Sequence, residues 1–457
     1  MDDYIEYKHL CTTGRKSRAD MVRYELPRRS VLGTAAGLSI AGLAGCFGDD
    51  DSDDGSGDDI DGESLGEGDI ELEFSTSGGG VERETVESQL ESYADANEDI
   101  SVEFLHIPEN YEDRLQTMMG ADEEPDAFFV GQEAVSAYAD AGTVADLEGD
   151  FDQDILDDFD QDVLDAMTPT DGLPYIPKDF QTLGVMYNRE VFADAGYGEF
   201  PETWSEFRDA LENIQDAGVV DYPYVEFGSD LFAGYIWYAW LAANGGQVMN
   251  DDRTECVVAS EEAEEVLEFI VELREDDLMG IDSEVSAETE DGRLAEEQTA
   301  MVTGGGWVLS EAKSNYPDFE DNIGVAQPPR PDDEEYGNFV FGAGFSVSNN
   351  TEYYEESVGL VEYLLGDGIM PWLETGIAIP IHESLRDEVE LYEEDDRYET
   401  FFEMADSPRL GSWEFGPHTR EIFNIINPQI EGVLQGQVEP MDALETIENE
   451  VNNTIEE

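Results

Sequence analysis

Four histidines and three cysteines are the residues of this 457-residue chain best suited to metal or nucleophilic chemistry, and their spacing suits neither. His9, His106, His382 and His418 stand far apart and form no metal-ligand pattern. Cys256 is left alone once the segment carrying Cys11 is removed and Cys46 is modified, so no disulfide framework is expected. It reads as a small buried apolar side chain rather than a nucleophile. There is no Gly-x-Ser-x-Gly elbow, no His-Glu-x-x-His pair and no phosphate-cradling glycine loop. What the chain has in excess is carboxylate, 112 Asp and Glu in all. Two carboxylates about 5–10 Å apart suffice for glycoside hydrolysis, so acid–base chemistry of that kind stays open. No cofactor and no metal are expected.

Cys46 has a different setting. It follows Leu43, Ala44 and Gly45, an arrangement that resembles a lipobox, in which the cysteine is lipidated and becomes the mature N-terminus. Upstream, "PRRSVLG" carries Arg28 and Arg29 and resembles a twin-arginine export motif. Residues 31–45 are uncharged, short for a membrane span of about 20 residues but right for a signal core. Met21 lies just before this signal, so residues 1–20 are read as an over-extended start, outside the mature protein. The leader is then 1–45, with the signal at 21–45, and the acidic, glycine-rich stretch 46–68 is read as a flexible, self-repelling tether. The expected location is the extracellular face of the cell membrane, anchored through lipid on Cys46.

The net charge is −91, and only Lys8, Lys16, Lys178 and Lys313 are lysines. Such a surface repels itself in dilute buffer, whereas at molar salt the Debye length falls to about 3 Å. Acid-rich, lysine-poor chains resemble proteins of extreme halophiles, above all haloarchaea. An acidic surface for a cationic partner is the alternative reading. Nucleic-acid binding is excluded, because nothing here would replace phosphate counterions. Hydrophobic residues make up 40% of the chain, enough for packed cores, and the length suits two domains.

These residues must be positioned by alternating strands and helices. "DIELEFSTSGGG" alternates apolar and acidic side chains as a strand does, and "ISVEFLHI" and "PDAFFVG" are two further strands. Helical spacing fills the gaps, as in a parallel α/β domain. The near repeat "FDQDIL", "FDQDVL" lacks the glycine and glutamate of a calcium loop, so aspartate-capped helix starts are expected. Thr203 is expected to cap "WSEFRDALENIQDAG". "FAGYIWYAWLAANGG" is aromatic-rich, and "AMVTGGGW" sets Trp307 after three glycines.

"ENYEDRLQTMMGADEEPDAFFVGQE", "YIPKDFQTLGVMYNREVFADAG", "PETWSEF", "AMVTGGGW" and "GVAQPP" occur in an order and spacing that resemble one family: extracellular solute-binding proteins of ABC importers, of the sugar-binding, maltose-binding-protein-like kind. The resemblance implies an α/β, two-lobed periplasmic-binding-protein-like (type II) fold with a hinge and an interlobe cleft. It places chain crossings near residues 176–180, 324–328 and 377–381. Lobe 1 is then 69–178 plus 326–376, and lobe 2 is 179–325 plus 377–457. The implied function is a monomeric, lipid-anchored receptor, not an enzyme, that delivers a mono- or oligosaccharide to ABC permease subunits. An exported glycoside hydrolase or other surface enzyme is the alternative, and a surface-layer protein a third reading.

Sugars offer apolar C–H faces to aromatic rings and a rim of hydroxyls to amides, carboxylates and guanidinium groups. Cleft residues are expected at the C-terminal ends of sheet strands. That nominates Ser77 and the glycines 78–80, Gly79 among them, then Gln132 and Glu133. At the first crossing it nominates Lys178, Asp179 and Gln181, with an ion pair as the first role for Lys178. Lobe 2 supplies Tyr235, Trp237, Trp240, Asn244 and Trp307. The "FGAGFS" turn with Gly344, and the late residues Arg409, Trp413 and Glu414, complete the set. Asn349 and Asn452 fit the glycosylation acceptor pattern.

Overall fold

The computed structural model describes residues 61–168, 172–228, 235–250 and 252–456. Cys46, Arg28 and Arg29 lie outside them, as does the side chain of Tyr235. Alternation in sequence becomes alternation in space. Leu72 and Phe74 are buried while Glu71 and Glu73 face outward, the period of two that a one-sided strand requires. Val86, Leu90 and Tyr93 form the buried stripe of the following helix. Each such Leu or Phe contributes about 1.5–3 kcal/mol by leaving water.

Lobe 1 runs through β1 (Asp61–Leu65), β2 (Ile70–Thr76), α1 (Val81–Ala96), β3 (Ile100–His106), α2 (Tyr111–Met119), β4 (Ala127–Gly131), α3 (Gln132–Asp140), α4 (Gln153–Leu156), α5 (Gln161–Met167) and β5 (Ile176–Pro177). Lobe 2 follows with β6 (Gly184–Asn188), α6 (Arg189–Asp194), α7 (Trp204–Ala217), β7 (Tyr222–Glu226), α8 (Tyr235–Ala243), α9 (Glu261–Glu275), β8 (Met279–Ile281), α10 (Glu290–Ala295), β9 (Thr299–Gly304), α11 (Gly306–Asn315), β10 (Ile323–Ala326) and β11 (Gly337–Val340). The chain returns to lobe 1 for β12 (Ala343–Val347), α12 (Tyr354–Leu365) and α13 (Met370–Leu373). It ends with α14 (Glu390–Glu394), α15 (Arg397–Ala405), β13 (Arg409–Ser412), α16 (Thr419–Leu434) and α17 (Pro440–Glu456).

The lobe 1 sheet has the order β1-β3-β2-β4-β12-β5, with β2, β3 and β4 parallel. The lobe 2 sheet has the order β10-β6-β9-β7-β8, with β7, β8 and β9 parallel. β11 and β13 form a separate parallel pair that packs on α8. Asp152, Asp160 and Thr203 each accept a backbone N–H at a helix start, the expected caps. Among the described residues no helix is long and apolar enough to cross a membrane.

Between the sheets the chain crosses as a narrow ribbon. Phe180 and Ile379 exchange backbone hydrogen bonds of 3.0 and 3.1 Å. Gln181 and Phe341 exchange bonds of 2.7 and 3.2 Å, and the Lys178 N–H donates to the Ala343 carbonyl at 3.0 Å.

Two boundaries differ from the sequence reading. Residues 324–328 are not a crossing: Gly324–Ala326 pair with β6 inside the lobe 2 sheet, and Arg330 bridges to Thr203. The chain crosses instead at 341–343, so 326–340 stay with lobe 2. Asp61–Leu65, placed in the tether, is an edge strand antiparallel to β3, held where Leu65 turns inward and is buried.

Candidate functional site between the lobes

The ribbon is the floor of a seam where both lobes present polar side chains. Gln132 opens α3 directly after β4, and its backbone N–H donates to the Gly342 carbonyl at 3.1 Å. Gln181 pairs with Phe341 on the other flank of the same segment. The two glutamines therefore bracket 341–342.

Their side chains are fixed by chemistry. Gln181 Nε2 donates to the Ile377 carbonyl at 2.7 Å, and a carbonyl can only accept. Gln132 Nε2 donates to Ser412 Oγ at 2.9 Å, whose own proton goes to the Ala166 carbonyl. Each amide is thereby turned so that Oε1 is left over. Both Oε1 atoms are buried, at 8% and 1% residue exposure, and have no donor among the described residues. Buried acceptors without donors are costly, and a bound donor would relieve them.

Aromatic rings border these acceptors. Half-buried Trp307 stands 6.3 Å from Phe341, ring centre to ring centre, at 71°. Its Nε1–H donates to Glu290 Oε1 at 3.1 Å, which fixes the ring plane. A Cβ on Gly305 would lie 2.1 Å from the Trp307 ring and 2.9 Å from Gln181 Oε1, so only glycine lets ring and amide share that space. Trp413 continues the wall, 4.8 Å from Phe341 and stacked on Phe339 at 5.2 Å.

Lobe 2 reaches lobe 1 through three further groups. Glu414 accepts from Ser136 of α3 and pairs with Arg253, which also donates to the Thr168 carbonyl at 3.4 Å. Arg420 pairs with Glu112 at 2.7 Å, and α16 packs against α3. Beside them, burial and the neighbouring Glu112 push the Glu133 carboxyl well above the usual carboxylate range. Ser77 lines a 300 Å³ hollow here with Tyr111, Glu112, Phe129, Gly131 and Arg420. Gly79 is exposed in the loop before α1, and a Cβ there would meet nothing within 4 Å.

Several nominated residues lie elsewhere. Trp237 and Trp240 are fully buried in the lobe 2 core. Trp240 packs on Trp204, Phe207 and Phe269 at 5.9, 6.0 and 5.4 Å, so its faces are occupied by protein. The cause is α8 itself, which carries no charged side chain and turns both tryptophans into the core. Asn244 ties α8 to α9 by donating to the Glu262 carbonyl and to Glu265. Gly344 is a packing glycine: a Cβ would lie 2.0 Å from the Ile176 carbonyl oxygen.

Lys178 and Asp179 pair with each other at 2.5 Å, both buried. Asp179 also accepts from Trp372 Nε1 at 2.8 Å, and Lys178 Nζ sits 3.4 Å over the Trp372 ring. Burial raises the Asp179 carboxyl while Lys178 lowers it. This closed cluster staples the hinge. Arg409 bonds Glu334 at 2.6 Å and the Ala243 carbonyl, on the lobe 2 side. The Asn452 amide is engaged in both directions by the Cys256 backbone. Ser136, Arg253 and Ser412 were not singled out from sequence. Among the described residues no cluster of His, Cys, Asp and Glu could hold a metal ion.

Comparison with known proteins agrees with this architecture. The model of the family described as bacterial extracellular solute-binding protein matches residues 80–371. The diacetylchitobiose binding protein DasA of Streptomyces coelicolor is 24% identical over 360 residues, covering 75% of this chain and 80% of that protein. The GacH receptor of Streptomyces glaucescens, solved unliganded and with acarbose, is similar at a TM-score of 0.73 and 20% identity, over 85% of this chain and 98% of that one. An ABC transporter solute-binding protein of Thermotoga lettingae, bound with α-D-tagatose, is similar at 0.72 and 23% identity, over 84% and 100%. The fold is the two-lobed α/β fold of periplasmic binding proteins, and the chain belongs to the family of bacterial extracellular solute-binding proteins.

Proposed function

We propose that this protein is a lipid-anchored extracellular receptor that binds a mono- or oligosaccharide between its lobes and delivers it to the permease of an ABC importer. The observation that carries the reading is the pair of buried oxygens on Gln132 and Gln181, which have no donor among the described residues, near the Trp307 and Phe341 rings. Sugar hydroxyls supply the donors, and a sugar C–H face suits the rings. Groups from both lobes touch one ligand, so the closed form gains contacts that the open form lacks. DasA, GacH and the Thermotoga lettingae protein bind diacetylchitobiose, acarbose and tagatose, which favours binding over turnover and a sugar over other solutes.

The leader carries the address: twin-arginine export through Arg28 and Arg29, then lipidation of Cys46. The charge of −91 suits a high-salt exterior. A thermal-shift screen of mono- and oligosaccharides in molar KCl tests the reading, because binding only the folded state raises stability by RT ln(1 + [L]/Kd). A rise with at least one sugar, without turnover of it, is expected. No rise with any sugar, or hydrolysis of a glycoside, overturns the receptor reading.

A further inference from the structure

Trp307 is half-buried, so part of its ring faces the seam. Gly304, Gly305 and Gly306 precede it and offer the ring no side chain. Apolar contact with Phe341 fills space but sets no direction. A hydrogen bond does set one, and the indole makes it to Glu290 Oε1 at 3.1 Å.

Glu290 is 8% exposed and opens α10, which is fastened on both sides. Arg293, also buried, donates through Nε and Nη2 to the Ala287 and Glu288 carbonyls at 3.2 and 2.8 Å, which ties down the turn before α10. Asp291 is fully buried and accepts from Asn315 Nδ2 at 3.1 Å. Two adjacent residues of α10 therefore hold the two ends of α11: Glu290 its first turn, through Trp307, and Asp291 its last residue. Between those ends lies Glu311, whose carboxyl is pushed up to about 7 by burial and then by Glu290 and Asp291.

We infer that Glu290 is a positioning residue for sugar binding: without touching the ligand, it holds the Trp307 ring at the angle to Phe341 that a sugar face requires, and so sharpens the choice among sugars. The inference rests on the receptor reading above. What matters is the reach of the acceptor, because a ring that tilts meets the C–H face of any one sugar less well.

Two substitutions separate reach from charge. Glu290→Asp keeps the charge but draws the acceptor back by one methylene. Glu290→Gln removes the charge but leaves an oxygen at full reach of the indole N–H. Both residues are compatible with the first turn of a helix. The full chain is titrated calorimetrically in molar KCl with maltose, cellobiose, diacetylchitobiose and tagatose. In Glu290→Asp the best-bound sugar weakens roughly five- to thirtyfold and the others by less, while Glu290→Gln stays within about threefold of the wild type. In a Trp307→Phe background, which has no indole N–H, Glu290→Asp costs less than about twofold. Fluorine NMR of 5-fluorotryptophan-labelled chains gives a readout without ligand. The resonance missing in Trp307→Phe belongs to Trp307. It broadens or splits in Glu290→Asp and stays a single narrow line in Glu290→Gln. A line as narrow in Glu290→Asp as in the wild type, or the same loss of affinity in both backgrounds, overturns the inference and leaves the receptor reading standing. Absence of binding by the wild type to all four sugars overturns both.

Discussion

Arg420 of α16 holds Glu112 of α2 at 2.7 Å, an ion pair that runs from lobe 2 to lobe 1. Asp113 lies at 4.0 Å from the same guanidinium. Arginine is scarce in a chain with 112 acids, and Arg420 and Arg253 both stand where two acidic lobes meet. Each offsets a repulsion that would otherwise part the lobes.

Arg420→Met is expected to move the equilibrium toward the open form. The pair is partly exposed, at 39% and 27% for the two side chains, so the shift is modest, up to about fivefold. Distances between spin labels placed on the two lobes report it. The effect is larger at low salt, where repulsion between the lobes is less screened. An unchanged distance distribution at low salt would remove Arg420 from the closure mechanism.

Glu226 is expected to give the fold a pH dependence. It is buried, accepts from Tyr224 at 2.5 Å, from Thr303 at 2.7 Å and from the Phe227 N–H at 3.0 Å. Burial nevertheless pushes its carboxyl up from 4.5 to about 7. Between those values the folded chain keeps a proton that the unfolded chain releases, so stability falls as pH rises through the window and levels off above about 7. The loss is at most about 3 kcal/mol. Glu226→Gln should flatten that segment of the curve in denaturant titrations at pH 5 and pH 8. Parallel curves for variant and wild type would contradict the assignment.

Gly344→Ala should destabilise the chain by about 1–3 kcal/mol, because its new methyl meets the Ile176 carbonyl at 2.0 Å in the hinge. Gly79→Ala should be near neutral, since nothing lies within 4 Å of the added carbon. Paired unfolding temperatures decide. Equal effects would mean that the ribbon shifts freely to make room.

Strand ends were legible in the sequence, and with them the places of Gln132 and Trp307 just beyond β4 and β9. Apolar strands that stop at glycine or a polar residue show where a sheet ends, and sites gather there. Trp237 and Trp240 misled because aromatic abundance is a property of cores as well as clefts. The sign to weigh was that "YIWYAWLAA" has no charged or amide side chain on any face. The exit expected at 324–328 misled because Gln327, Pro328 and Pro329 follow a strand as a linker would, although the chain continues along lobe 2 to β11. Asp61, Gly62 and Glu63 carry the composition of the tether, and pairing to β3 is a tertiary event with no local pattern. Arg253 lies in a turn with φ of 54°, and no spacing connects it to Glu414, 161 residues away.

The central claim is that a sugar binds between Gln132, Gln181 and Trp307. Equilibrium titration in molar KCl of the sugar with the largest thermal shift tests it most directly, on the wild type and on Gln132→Ala/Trp307→Phe. The account predicts saturable one-site binding by the wild type and at least about a tenfold loss in the double variant, with its fold retained by circular dichroism. Wild-type affinity in the double variant, or no saturable binding by the wild type, would contradict it.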